Sequence, residues 1–533
     1  MHIFTSYSRY IPLLAIISAS IFFYFWHPLI AFPFIILSLL GFIDLFQKKR
    51  AIIKNYPLTG RLRYLLEYFR PEIRQYFLES DEDKLPFSRN QRAMVYARSK
   101  IQNDKRGFGT IRDMYSENVE WLGHSILPTK LNSDDFRINV GGKFCKQKYS
   151  ASIFNISGMS FGALSPNAVM ALNHGAKMGN FAQDTGEGSI SKYHKKYNGD
   201  LIWQIGSGYF GCRDENGNFD PDKFKITANL DQVKMIEIKL SQGAKPGHGG
   251  VLPKEKISKE IAEARGIKND IDCISPNTHS AFSNPKELLS FINILRNLSN
   301  GKPVGFKLCI GHPWEWFAIA KAMESTKIFP DFIVIDGAEG GTGAAPVEFA
   351  DNIGMPMREG LRLVHNTLVG LNIRDEIKLG CAGRIISAFD IARCISLGAD
   401  WCNSARGFMF SLGCIQSRSC HTDHCPTGVA TQDSLRQTAL NVKDKSFRVK
   451  NFHSNTIKIL AEMISAAGLK SIKDINPDLI MSRESAMKVS TIATYLPTIK
   501  PGSLVNTKEI INAPPLFKKY WHQASEESFS RLI

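Results

Sequence analysis

Apolar positions follow two different rhythms along this chain. From Tyr10 to Phe46 no charged residue occurs before Asp44, and His27-Pro28 breaks the run near its middle. Divided there, 10–26 and 29–46 each approach the ~17–25 residues that cross a bilayer as a helix. The pattern predicts a transmembrane helical hairpin. Arg9 before the first span and Lys48-Lys49-Arg50 after the second put both ends, and the domain that follows, on the cytoplasmic side by the positive-inside rule. The stretch is too long for a signal-peptide core and lacks a clear small-residue cleavage site.

After residue 150 the runs are short and β-rich, alternate with helical patterns, and mostly end in Gly, Ser or acidic residues. They fall at 153–157, 181–184, 201–205, 235–239, 304–309, 332–336, 377–381 and 401–404. Eight such units predict an α/β fold, a (β/α)8 TIM barrel whose functional groups sit on the loops after the strands. A doubly wound open sheet is the alternative. The barrel is expected over 151–450, between a helical connector at 51–150 and a helical tail at 451–533.

The loops after the runs are glycine-rich: Ser157-Gly-Met-Ser-Phe-Gly-Ala-Leu-Ser165, Asp184-Thr-Gly-Glu-Gly-Ser189, Ser241-Gln-Gly-Ala-Lys-Pro-Gly-His-Gly-Gly250, Asp336-Gly-Ala-Glu-Gly-Gly-Thr-Gly-Ala344 and Cys381-Ala-Gly-Arg384. Glycine lets backbone N–H groups approach an anion, and barrels often bind phosphate after strands seven and eight. Gly383 and Ala405-Arg406-Gly407 occupy those places, so a phosphorylated cofactor is expected. Any single loop of this kind is usually only a turn, and five at strand ends are harder to dismiss.

Cys414, Cys420 and Cys425 follow the eighth run at spacing C-x5-C-x4-C, the last before Pro426. Three thiolates in one loop suit a soft metal or an iron–sulfur cluster. Zinc with His421 or His424 is a second reading, although structural zinc ligands usually start two to four residues apart. Disulfides are a third.

Composition narrows the picture. The 533 residues carry 66 Lys and Arg against 50 Asp and Glu, a net +16. The basic residues are spread along the chain and no nucleic-acid motif accompanies them, so nucleic acid is not an expected partner. Of ten cysteines, seven lie scattered, several inside apolar runs. Such residues are mostly small buried hydrophobes, which indicates a reducing compartment.

Taken in order, Ser157-Gly-Met-Ser-Phe-Gly-Ala-Leu-Ser165, Gln242-Gly-Ala-Lys-Pro-Gly247, Gly340-Gly-Thr-Gly-Ala344 and the Cys414–Cys420–Cys425 loop ending in Gly-Val-Ala-Thr-Gln432 resemble the FMN-binding synthase domain of glutamate synthase, over roughly 120–470. The resemblance implies a (β/α)8 barrel carrying FMN and a 3Fe-4S cluster. It also implies reduction of 2-iminoglutarate, formed from 2-oxoglutarate and ammonia, to L-glutamate. By motif, Cys414, Cys420 and Cys425 match the cluster ligands, and Glu187, Lys245 and Arg265 match residues that contact the oxo acid. Ser157, Met159 and Ser160 match flavin contacts of the first strand, and Gln242 and Lys307 match groups near the flavin ring. Gly340, Gly341, Gly383, Arg384 and Gly407 match the flavin and phosphate loops.

The residue types suit those roles. A dicarboxylate needs cationic donors, which Lys245 and Arg265 supply. Lys307 near the ring would stabilise anionic reduced flavin, and Glu187 could relay a proton to the imine nitrogen. The plain alternatives are rim salt bridges for the lysines, a helix cap for Glu187 and a solvated helix position for Arg265.

Three departures from the family bear on function. The family usually continues Lys-Pro-Gly with Glu-Gly-Gly-Gln, whose glutamine meets substrate, and this chain has His248-Gly-Gly-Val251. Where the family has Ser-Gly-Arg-Phe-Gly, this chain has Ser207-Gly-Tyr-Phe-Gly211. A valine cannot donate a hydrogen bond, so a different substrate pocket is an open expectation. Thirdly, the chain starts Met1-His2 rather than with a glutaminase cysteine, and has no Gly-x-Gly-x-x-Gly in a strand–helix context. Ammonia is therefore expected from solution or a separate glutaminase, and electrons from a ferredoxin or reductase subunit. A related N-methylglutamate-forming or other amino-acid flavoenzyme, and a membrane electron-transfer protein, are the alternatives.

Overall fold

The computed structural model describes residues 8–532 except 82, 84, 85, 132–135, 253, 269 and 270. The chain divides into two compact units, Met1–Arg89 and Asn90–Ile533.

In the first unit, helices Ile11–Trp26 and Pro28–Phe46 are each long and apolar enough to cross a membrane. His27 is extended and its N–H closes on Phe23 O at 2.7 Å, so the first helix ends where Pro28 starts the second. The hairpin is pinned inside by Ser20 Oγ and Ser38 Oγ, 2.9 Å apart. Phe25, Leu29, Phe32 and Phe46 point outward into exposed positions. Asp44, the acidic residue of the second helix, is buried: Arg61 Nη2 and Nε donate to it at 2.6 and 3.0 Å, and Leu58 N at 3.1 Å.

Eight parallel strands close into a barrel in the second unit: β1 (Phe154–Ile156), β2 (Gln183–Asp184), β3 (Leu201–Ile205), β4 (Val233–Lys239), β5 (Val304–Leu308), β6 (Phe332–Asp336), β7 (Lys378–Ala382) and β8 (Trp401–Ser404). Each lies within two residues of its sequence-predicted run. Closure is made by β8 on β1, with Cys402 opposite Phe154 and Ser404 opposite Ile156. An open sheet is thereby ruled out. Because helices cover the outer face, strands such as β3, β5 and β6 are buried at every position, which is why they read as unbroken apolar runs.

Helix starts obey local chemistry. Ser165, Asp220, Asn284 and Ser387 each accept backbone N–H groups from the first turn, with proline following at three of them. Val442–Ala466 packs along Pro166–Gly179 so closely that a Cβ on Gly175 would lie 2.5 Å from Val449.

The flanks depart from the helical expectation. Within 51–150 the helices stop at Ser99, and strands Glu120–Leu122, Arg137–Val140 and Tyr149–Ser152 follow. After Ala466 the tail forms short 3-10 turns, strands Ile480–Ser485 and Lys488–Thr491, and one short α-helix, Pro515–Tyr520. Glu120–Leu122 and the two tail strands make one antiparallel sheet, in which Glu120 opposes Ser482. The pairing spans most of the chain, so neither partner carries a local signal for it.

Candidate active site

The C-terminal ends of the strands gather charge of both signs. Glu187 follows β2 in a turn, and Lys239 Nζ at the end of β4 lies 3.0 Å from its Oε1. Lys245 and Arg265 also act on this carboxylate: burial opposes its charge, yet Lys239, Arg265 and Lys245 together hold Glu187 below the usual glutamate range. Burial, then Lys239, lowers Lys245, and Glu187 partly restores it. Close packing fixes the carboxylate, since a Cβ on Gly206 would come within 2.6 Å of Oε2 and one on Gly250 within 2.7 Å of Oε1. Arg265 ends a seven-residue helix capped by Ser258 and lies over the Phe210 ring, 5.1 Å from its centroid. It is buried, donates from Nη2 to Phe161 O at 3.3 Å, and keeps a buried Nε without a partner. Three cations around one carboxylate leave a surplus of two positive charges, the complement of a dicarboxylate.

Beneath this mouth lies a second charged layer. Lys307 on β5 is buried, with Nζ 3.3 Å from Asp336 Oδ2 on β6. Burial works against its charge, but Asp336, Glu237 and Asp184 outweigh it and raise Lys307. Gln204 Nε2 bridges the other two carboxyls, at 2.6 Å from Glu237 Oε1 and 3.2 Å from Asp184 Oδ2. Burial raises both, and Glu237, pushed further by Asp184, rises well above the carboxylate range. Glu237 Oε2 is buried without a hydrogen-bond partner, and two carboxyls this close in a buried layer disfavour both being ionised. Lys307 is thus already neutralised by Asp336, which qualifies its expected effect on a flavin.

The glycine loops make the surrounding wall. Ser157 N bonds Ser404 O at 3.1 Å, joining the first loop to the last strand. Met159 and Ser160 abut the second loop, whose Gly186, at φ 64°, leaves no room for a Cβ against Ser160 N. Gly158 sits over the carboxyl layer, and a Cβ there would meet Asp184 Oδ2 and Gln204 Nε2, both at 2.9 Å. Gln242 Nε2 reaches Thr342 Oγ1 at 3.4 Å, and Gly243 N bonds Asp336 Oδ2 at 3.1 Å. Near Gly340 and Gly341, Arg406 Nη2 donates to Glu339 O at 2.8 Å. Burial, then the neighbouring Arg384 guanidinium, brings Arg406 down to about 10. Two crowded guanidiniums beside Gly383 and Gly407 form a place that a phosphate would relieve, so the donor set fits a phosphorylated cofactor.

The cysteine loop is fastened to this wall. Gln432 Nε2 donates to Gly162 O and Leu164 O at 3.1 and 2.9 Å, and Ser165 Oγ to Gly428 O at 2.7 Å. Tyr96 Oη donates to Cys414 O at 2.6 Å and Lys256 Nζ to Cys420 O at 2.9 Å. Burial and mutual repulsion push Cys414 up to about 12 and raise Cys420, while hydrogen bonds from Ala430, Thr427 and Val429 outweigh burial at Cys425. Sulfurs that raise one another are a donor set suited to shared positive charge. Among the described residues, Cys414, Cys420, Cys425, His421 and His424 supply no three ligand atoms within 4.8 Å of one another. Tetrahedral zinc, with Zn–S about 2.3 Å, holds its sulfurs roughly 3.8 Å apart, so the loop is not drawn together as a zinc site would be.

Of the departures, Tyr209 is fully buried: its Oη lies 3.1 Å from His279 Nδ1 and accepts Ala281 N at 3.1 Å, and His279 Nε2 lies 2.9 Å from Lys239 O behind the mouth. His248 meets the Phe349 ring edge-on at 5.4 Å. The side chain of Val251 lies outside the described residues; its backbone pairs with Ile274. Sequence reading assigned no role to Lys239, Asp184, Glu237 and Asp336, whereas Arg406 fell within the segment expected at the phosphate. Strand-end position marks Lys239 and Asp336, whereas Glu237 in Met-Ile-Glu-Ile passes for ordinary alternation.

A closed parallel barrel with its charged groups gathered on the loops after the strands is the architecture of a barrel enzyme. Residues 111–470 match the conserved region in glutamate synthase. The chain is 36% identical over 526 residues to the glutamate synthase large subunit-like protein YerD of Bacillus subtilis, covering 91% of this chain and 97% of that one. With the archaeal glutamate synthase [NADPH] of Methanocaldococcus jannaschii it shares 34% identity over 321 residues, 60% of each chain. The chain therefore belongs to the glutamate synthase family, a family of oxidoreductases. Among solved structures, a flavocytochrome b2 with sulfite bound superposes with a TM-score of 0.40 at 12% identity, over 78% of this chain and 85% of that one.

Proposed function

We propose that the barrel unit binds FMN against the glycine loops and reduces 2-iminoglutarate, formed from 2-oxoglutarate and ammonia, to L-glutamate. The observation that carries this reading is the mouth of the barrel, where Lys239, Lys245 and Arg265 surround Glu187. The cations would hold the two carboxylates of the substrate, and the Glu187 carboxylate would accept a hydrogen bond from, or relay a proton to, the imine nitrogen. Arg384, Arg406, Gly383 and Gly407 would receive the FMN phosphate, and Gly158, Met159, Ser160 and Gln242 would line the ring. Bound there, FMN supplies hydride chemistry that no side chain can. Cys414, Cys420 and Cys425 would hold a 3Fe-4S cluster whose loop, through Gln432 and Ser165, is tied to the first flavin loop. Electrons would come from a ferredoxin or reductase subunit, and ammonia from solution or a separate glutaminase. The outward phenylalanines of the N-terminal hairpin support anchoring in a membrane, with the barrel facing the cytoplasm.

The test uses detergent-purified full-length protein, reduced anaerobically and given 2-oxoglutarate with ammonium. Reoxidation of flavin absorbance with formation of glutamate is expected; protein made with flavin and iron available yet containing neither would refute the reading. A parallel arm with methylamine decides the alternative: faster turnover than with ammonium assigns N-methylglutamate formation. Reduction and reoxidation by electron carriers with neither amine consumed would assign an electron-transfer role.

A further inference from the structure

Three cysteines outside the loop at 414–425 come together on the other side of the barrel wall. Cys381 on β7 and Cys402 on β8 are register partners, with their sulfurs 3.7 Å apart. Cys394, on the covering helix Ala388–Ser396, completes a set whose three sulfurs all lie within 4.8 Å of one another. All three residues are fully buried and none forms a disulfide. That the helix cysteine reaches both strand cysteines means that Cys381 and Cys402 point outward from the barrel, away from the site described above.

We propose that Cys381, Cys394 and Cys402 form a three-thiolate site for a soft d10 cation, Cu(I). Trigonal coordination at a metal–sulfur distance of about 2.3 Å, the value for zinc thiolates, sets sulfurs roughly 4 Å apart, which matches the observed spacing. Softness of the ligands selects Cu(I) among the available cations. Burial selects it again: zinc takes four ligands, and in a place closed to solvent neither a water nor, among the described residues, a fourth Cys, His or carboxylate completes the set. Thiolate charge in an apolar layer needs compensation beyond the metal. Arg393, adjacent in sequence to Cys394, pairs through Nη1 with Glu120 at 3.0 Å and through Nη2 with Asp390 at 3.2 Å, and keeps a buried Nε without a hydrogen-bond partner. Buried cysteines that serve as small hydrophobes need no such convergence from three separate elements.

The full-length protein is produced in copper-supplemented medium, purified anaerobically in detergent, and its copper counted per chain beside Cys394→Ala and Cys402→Ala. Any copper taken by Cys414, Cys420 and Cys425 is common to all three proteins and cancels. The wild type is expected to hold one copper more than either variant and to show an additional ultraviolet thiolate-to-copper absorption. X-ray absorption of Cys420→Ser protein, which leaves the three wall cysteines intact and breaks the set of the 414–425 loop, is expected to read sulfur neighbours at about 2.3 Å. Equal copper in the three proteins, or oxygen and nitrogen neighbours, would overturn the site. Zinc retained in place of copper, in the wild type alone, would overturn the choice of ion.

Discussion

Replacing Glu187 with glutamine separates a proton-relaying carboxylate from one that merely anchors substrate. The substitution keeps the shape that Gly206 and Gly250 enclose and removes one negative charge from among three cations. A unit charge pair at the 3.0 Å between Lys239 and Glu187 interacts by about 5.5 kcal/mol at an effective dielectric constant of ~20. Desolvation offsets part of that, and removing one partner of a buried pair costs ~3–5 kcal/mol. If about 3–4 kcal/mol of it falls on the barrier, kcat drops by two to three powers of ten, at 1.36 kcal/mol per decade. KM for the oxo acid should hold or fall, because the pocket gains net positive charge. Lys245 also loses a group that raises it, so the alkaline limb of kcat/KM moves to lower pH. The assay is anaerobic turnover of the reduced protein across pH 6–10 with 2-oxoglutarate and ammonium. A raised KM with unchanged kcat would show that Glu187 binds rather than relays.

Other expectations follow from the packing. In Gly243→Ala the new Cβ would stand 1.6 Å from Gly337 O, so the loops after β4 and β6 must part and flavin per chain should fall while iron is retained; full flavin content would contradict the cradle. His194, His365 and His453 are each held by burial at about 3, against 6.5 for the free side chain. Their folded values are depressed, so the unfolded chain binds the extra protons. Stability is complete above pH 6.5 and is lost as pH falls toward 3, at up to about 1.4 kcal/mol per pH unit for each histidine. Thermal unfolding at pH 7.5 and 5.5 should show the loss, and His453→Phe should reduce it; an unchanged pH difference in that variant would refute its share. Asp44→Ala strands Arg61 and Leu58 N and should cost about 2 kcal/mol, read as earlier unfolding of the hairpin in detergent, with Asp44→Asn milder because its carbonyl still accepts Leu58 N.

Much of the barrel was legible because parallel strands covered on both faces must be apolar throughout, and each is punctuated by the glycine loop that follows. The cations of the mouth were legible where a motif carried them, as with Lys245, and obscure where a strand did. Lys239 closes Ile-Glu-Ile-Lys and looks like the polar end of any strand, yet it is the group nearest Glu187. Glu237 and Asp184 were hidden for a related reason. A pair of buried carboxyls bridged by Gln204 depends on three strands meeting, which no local pattern records. The flanks failed for distance: charged, mixed-polarity segments resemble surface helix until their strand partner is known.

The sheet that joins Glu120–Leu122 to Ile480–Ser485 also sets an order of events. Leu122 pairs with Ile480, so at ~5–20 residues per second the first strand waits roughly 20–70 s on the ribosome for its partner. Over that interval the barrel can close, since its last strand ends at Ser404, while the edge of Glu120–Leu122 stays open. Glu120 meanwhile has Arg358 and Arg393 to receive it, at 2.7 and 3.0 Å. Those two ion pairs can park the early strand on the finished barrel until the end of the chain arrives to cover it.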